Sequence, residues 1–145
     1  MVKEIILASK SGVRKKSLEE NNIQCKIEPS NVDEDSVKES LLKERASPTI
    51  ISKNLAELKA NKISQKFVEE MVLGADSVID LEGEIISKPN NRAGALEILK
   101  RLNGKTHQLI SSVCISRGGS MIWNYTDKAS LTMKDMNFFF SDIKN

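Results

Sequence analysis

The spacing of apolar positions changes several times along the chain and divides it into elements. Glu4–Ala8 (EIILA) is a short apolar run and predicts a buried strand ending in Ser9-Lys10-Ser11-Gly12. Val13–Asn22 (VRKKSLEENN) has helical character and stops at two asparagines, and Gln24–Glu28 (QCKIE) alternates as a strand does. Residues 29–35 (PSNVDED) predict a loop, and residues 36–45 a charged helix. Ser47-Pro48 is a start signal, a serine N-cap before a proline at the first helical position. Ile51, Leu55, Leu58 and Ile63 then form a helical stripe with Lys59-Ala60 beside it.

From residue 71 the period shortens to that of strands. Met71–Leu73 predicts a strand that Gly74-Ala75 breaks, delivering Asp76 at its end. A second short strand covers Ser77–Leu81, Glu82-Gly83 makes a tight turn, and a third strand over Glu84–Ser87 stops at Lys88-Pro89. Residues 91–103 predict a helix burying Ala95, Leu96, Ile98, Leu99 and Leu102, with Gly104 closing it. Thr106–Ser116 and Met121–Thr126 flank Gly118-Gly119 as a hairpin, with Lys128–Met133 extending its second arm. The order β-α-β-α-α-β-β-β-α-β-β predicts an α/β fold, a mixed sheet flanked by helices, in one domain over residues 1–145. Phe138-Phe139-Phe140 near the end predicts an uncovered apolar patch.

The composition, 29% charged and 39% hydrophobic, is that of a soluble globular domain and not a disordered chain. Net charge is +2 from 22 basic and 20 acidic residues, too balanced to argue for nucleic acid as a partner. No apolar run is long enough to span a bilayer, so no membrane partner is expected. Cys25 and Cys114 lie far apart in apolar runs and read as reduced core thiols of a cytoplasmic protein. His107, the single histidine, has no cysteine or histidine at ligand spacing, which argues against zinc and for a structural role.

Two stretches carry candidate chemistry. A strand leading through Ser9-Lys10-Ser11-Gly12 into a helix that opens with Arg14-Lys15-Lys16 can hold phosphate on backbone N–H groups, hydroxyls and cations. The GxxxxGK[ST] spacing of a Walker A loop is absent. Ser11 also serves as a plain helix cap, with the three cations in solvent. Those cations sit at the end of the helix where the dipole disfavours them unless an anion compensates. Asp76 at a strand end and Lys88 before a proline form the second candidate, which turn chemistry and surface charge also explain. Asp33, Glu34 and Asp35 can hold a divalent metal beside a phosphate site, or be solvated helix-start charge.

Together these pieces resemble a known family. LASKSGVRKKSL at 7–18, NVDED at 31–35, LAELKA at 55–60, GADSVIDLEGEIISKP at 74–89 and ALEILKRLNGKTHQLISSVCI at 95–115 stand in the order and spacing of the Maf family. The resemblance implies a nucleoside triphosphate pyrophosphatase that splits the bond between the α- and β-phosphates of non-canonical or pyrimidine nucleotides. It implies dependence on a divalent cation, Mg²⁺ or Mn²⁺, and often a homodimer. The implied architecture is two-lobed and similar to the inosine triphosphatase fold, with the site in the cleft. Position by position, Asp76 matches the general base and Glu34 the acidic residue that supports the metal together with Asp76. Ser9, Ser11 and Arg14 match the phosphate-holding segment, and Lys59 and Lys88 the two lysines that neutralise the triphosphate.

Three features depart from the family pattern. Gly12-Val13-Arg14 replaces Pro-Arg-Arg, and Val13 resembles the branch acting on 7-methyl-GTP. Gly74-Ala75-Asp76-Ser77 resembles the GADT of the pyrimidine branch, so Val13 and Ser77 point to different bases. The family's AGxYxIQG-like segment has no counterpart here, which implies a shortened C-terminal lobe. An alternative expectation is therefore a nucleotide-binding remnant with impaired catalysis, or a cell-division regulator acting through protein contacts.

Overall fold

The structure, a computed structural model, describes residues 4–136. Its ten elements are β1 (Ile5–Leu7), α1 (Gly12–Glu20), β2 (Cys25–Ile27), α2 (Glu34–Lys43), α3 (Pro48–Ser64), β3 (Val72–Leu81), β4 (Glu84–Ile86), α4 (Arg92–Leu102), β5 (Thr106–Arg117) and β6 (Ser120–Thr132). The strands form one mixed sheet of order β2-β1-β3-β5-β6, with β4 beside β3. β2, β1 and β3 run parallel, while β4, β5 and β6 pair antiparallel to their neighbours.

β3 is the axis of the molecule, and one of its edges is broken. β5 pairs along the other edge from Val72 to Asp80. On the broken edge β1 pairs only with Val72 and Leu73, and β4 only with Ile79 to Leu81. Between them residues 74–78 have no strand neighbour on that side. The last ladder bonds from β1 are Ile6 N–H to the Met71 carbonyl and Ala8 N–H to the Leu73 carbonyl, both 2.9 Å. The next carbonyl in that phase, on Ala75, points into the gap.

The expected break at Gly74-Ala75 is corrected: Val72–Leu81 is one continuous strand. Gly74 is there for close approach and not for a turn. A Cβ on it would overlap the Ala56 carbonyl oxygen and lie 2.8 Å from the Ala60 nitrogen, so α3 rests almost backbone to backbone on β3. The turn at Glu82-Gly83 forms as expected, with positive φ at both residues, 54° and 90°.

α3 covers one face of the sheet. Ile51, Leu55, Val78 and Ile110 make one apolar cluster beneath it, and Ile6, Ala8, Ala56, Ala60, Ile63, Val72 and Cys114 another. The helix starts as predicted, with Ser47 accepting from Ile50 N–H. Its buried stripe differs from the expected one. Leu58 is exposed, and Ser52, Lys59 and Ser64 are buried with the apolar residues. On the opposite face α4 packs Leu102 on Leu81 and Ile86. Of the α4 positions expected inside, Leu102 alone is buried and Leu99 is exposed. The β5–β6 hairpin is as predicted, but β6 is open to solvent, with Trp123 and Tyr125 stacked at 6.3 Å between ring centroids. Phe138, Phe139 and Phe140 lie outside the described residues.

Cys25 and Cys114 are free and buried, as expected, and burial pushes both thiols up. His107 is buried on β5, five positions before the partner of Asp76, or about 16 Å along the strand. That distance fits its structural reading.

The Gly74 contact makes a direct prediction. Gly74→Ala should destabilise the fold by about 1–3 kcal/mol, because α3 backbone atoms have no rotamer with which to yield. A shift in the urea midpoint measures it.

Candidate active site

The gap beside β3 is filled by side chains. With no strand to serve it, the Ala75 carbonyl accepts from Lys59 Nζ at 3.3 Å and from Arg14 Nη1 at 3.4 Å. Each donor arrives by a different route. Ser11 caps α1 by accepting from Arg14 N–H at 3.2 Å, which brings the Arg14 guanidinium back over the strand end, where it also donates to Ser9 Oγ at 3.2 Å. Lys59 reaches the gap because α3 lies so close to β3 at Gly74.

Lys59 Nζ is the hub of a small charged cluster. It lies 3.2 Å from Asp76 Oδ1 and also pairs with Glu34 Oε1. The Lys59 and Asp76 side chains are 11% and 8% exposed, so water screens this pair little. Glu34 is less enclosed, at 37%. The expectation that Glu34 lies in a loop is corrected: it opens α2 with Asp33 as N-cap, because the Asp33 carboxylate accepts from Ser36 N–H at 3.1 Å. Ser52 Oγ donates to the Asp76 backbone carbonyl at 3.0 Å and fixes the strand where the carboxylate leaves it.

The two carboxylates titrate in opposite directions. Burial raises the Asp76 carboxyl above its ordinary value, and the Lys59 ammonium offsets this only in part. Burial acts the same way on Glu34, but the hydrogen bond and charge of Lys59, aided by Lys38 and Lys88, outweigh it and hold the carboxyl below its ordinary value. Asp76 Oδ2 is buried and has no hydrogen-bond partner. Such an atom is ready to bind a cation or a proton.

Beside this cluster opens a cavity of about 390 Å³, at the ends of the parallel strands β1 and β2. Ser9, Lys10, Ser11 and Arg14 line it from the first loop, Ser30, Asn31 and Val32 from the second, and Glu34, Lys59 and Lys88 complete it. Four cations face one carboxylate, a balance that suits a polyanion. Asp76 is not part of the wall.

The structure thus brings together Ser9, Ser11, Arg14, Glu34, Lys59 and Lys88, with Asp76 one contact behind. It does not bring Val13 or Ser77 to this cavity. Val13 is 80% exposed on α1. Ser77 pairs with Ser111 at 2.9 Å and lines a separate hollow of about 240 Å³. Ser30, Asn31 and Ser52 were missed by sequence reasoning. The first two follow a parallel strand and were findable on that ground, whereas Ser52 carries no local signal.

Glu34 and Asp76 are the pair that would hold a divalent cation, because Asp76 Oδ2 is buried without a hydrogen-bond partner. Among the described residues no group of three or more acidic, cysteine or histidine side chains is placed to hold a metal. Two carboxylates leave positions for water and phosphate oxygens, the habit of Mg²⁺ and similar hard cations.

The Maf-like protein family model matches residues 4–140. A protein named nucleoside triphosphate pyrophosphatase from Pelagibacter ubique (strain HTCC1062) is 88% identical over 138 residues, 95% of this chain and 71% of that protein. One of the same name from Ruegeria sp. (strain TM1040) is 42% identical over 92% of this chain and 67% of its own length. The 7-methyl-GTP pyrophosphatase of Brucella abortus biovar 1 (strain 9-941) is 34% identical over 97% of this chain and 70% of its own length. Among solved structures, the Staphylococcus aureus Ham1 protein has a TM-score of 0.54 at 15% identity, covering 90% of this chain and 70% of that one, which is a likeness of fold.

The opposed carboxyl shifts predict a pH signature. Glu34 contributes stability that is complete above its ordinary pKa of 4.5 and is lost as pH falls through its lowered folded value. Asp76 has the reverse sign: its contribution is complete below 3.8 and lost as pH rises through its raised value. Asp76→Asn removes the Asp76 contribution, so its melting temperature relative to the parent should climb as pH rises above the ordinary carboxylate value of 3.8 in metal-free buffer. A constant or falling difference in thermal scans contradicts the assigned shift.

Proposed function

The chain belongs to the Maf family, and from that premise we propose that it is a nucleoside triphosphate pyrophosphatase, cutting the anhydride between the α- and β-phosphates. The products are a nucleoside monophosphate and pyrophosphate. The observation that carries this reading is the cation-lined cavity whose Lys59 ammonium is shared with two carboxylates.

In this reading Arg14, Lys88 and the Ser9–Ser11 loop bind the triphosphate and set the α-phosphorus near Asp76. Asp76 accepts a proton from the attacking water. The burial that raises its pKa makes it a stronger base than an exposed aspartate. Lys59 and Lys88 stabilise charge that spreads onto the departing pyrophosphate, the chief electrostatic demand of this chemistry. Glu34 and Asp76 would hold a divalent cation, Mg²⁺ or Mn²⁺, which would supply further neutralisation and acidify bound water. The cavity binds the triphosphate, and base selection is assigned to Val13 and Ser77, which lie outside it. No helix of the described residues is long and apolar enough to cross a membrane.

Pyrophosphate release, assayed with Mg²⁺ or Mn²⁺ over dTTP, UTP, CTP and 7-methyl-GTP, tests the proposal. At least one should turn over. Asp76→Asn should lower kcat by about 10²–10⁴-fold, and Lys88→Ala by about 10²–10³-fold. A folded protein that releases nothing from any of them is a binding remnant. Full activity in either variant overturns that residue's role.

A further inference from the structure

Asp76, the proposed base, is walled off from the cavity that should hold its substrate. What stands between them is Lys59, which lines the cavity while touching Asp76 Oδ1 at 3.2 Å. Its ammonium has three donors, and the Ala75 carbonyl, Asp76 Oδ1 and Glu34 Oε1 take all three. The same two carboxylates are the pair that a cation would use.

We propose that Lys59 is a counter-ion switch: in the metal-free protein it occupies the cation position and masks Asp76, and divalent metal displaces it toward the phosphate oxygens of the substrate. The proposal rests on the functional reading above. Its physical basis is charge and space. A hard divalent cation sits about 2 Å from each carboxylate oxygen it binds, closer to both carboxylates than the ammonium can tolerate as a neighbour of like sign. Two carboxylates and one ammonium carry −1 together; with the ammonium gone they carry −2 and match the metal. The buried, unshared Asp76 Oδ2 is a ligand atom left vacant by this arrangement. The helix itself has no room to move, because the α3 backbone is seated on Gly74. The flexible four-carbon stem of lysine does. It swings over an open cavity that Arg14 and Lys88 already make attractive to phosphate. The cation thereby exposes the base and frees the ammonium for the leaving group when the triphosphate binds.

Mn²⁺ binding without nucleotide, followed by the EPR signal of the free ion, tests this on the full chain. Lys59→Met should bind Mn²⁺ about tenfold or more tightly than the parent, since a competing charge is gone. Equal or weaker binding overturns the proposal. Should the variant fail to fold, the parent carries the test. In a Mg²⁺ titration, the NMR signal of the Lys59 Cε methylene should move in step with occupancy, and a signal that stays fixed as Mg²⁺ saturates overturns the switch. If neither protein binds metal the switch also falls, and pyrophosphate release by the parent then shows whether the functional reading falls with it.

Discussion

Everything in the candidate site depends on a missing neighbour. β3 pairs with β5 along one edge, but on the other β1 stops at Leu73 and β4 begins at Ile79. An unpaired carbonyl in a protein interior must find a donor. The Ala75 carbonyl finds two, Arg14 and Lys59, both cationic. The sheet defect thus recruits positive charge to one point, and that charge brings in Asp76 and Glu34. A fold-level accident of strand length becomes a cation-lined cavity of about 390 Å³ at the ends of parallel strands, where α/β sheets commonly bind ligands.

The second constraint is the closeness of α3. Ser52, Ala56, Ala60 and Ser64 are small, and with Gly74 they let the helix settle on the sheet. A lysine in such a stripe is a poor choice for stability alone, since a buried charge is tolerated only when paired. Lys59 is paired twice, and the arrangement leaves Asp76 with a raised pKa and an unsatisfied oxygen. Those are the marks of a site where local stability has yielded to chemistry. On the opposite face Leu81, Ile86 and Leu102 pack as an ordinary apolar cluster.

Much of this was legible in the sequence. The Ser47-Pro48 start, the Glu82-Gly83 turn and the hairpin over Gly118-Gly119 are local signals, and the structure follows them. The Ser9–Ser11 loop and Lys88 were likewise singled out by local chemistry, and they do meet at one cavity. What was not legible depends on contacts distant in sequence. Gly74 looks like a strand break until Ala56 and Ala60 are seen above it. Lys59 looks peripheral to its helical stripe because a stripe read from apolar residues passes over a buried lysine; its carboxylate partners come from α2 and β3. Leu99 and Leu58 were expected inside on periodicity alone, which marks a face without showing whether anything covers it. Val13 and Ser77 came from the family resemblance, and neither reaches the cavity.

We propose Glu34 and Asp76 as the metal and catalytic centre, with Lys59 yielding its place there. Anomalous scattering from crystals grown with Mn²⁺ and a triphosphate analogue that resists cleavage between the α- and β-phosphates addresses it directly. A manganese peak bound by both carboxylates, with Lys59 Nζ on a phosphate oxygen, is expected. Manganese elsewhere, with Lys59 still between Glu34 and Asp76, would contradict it.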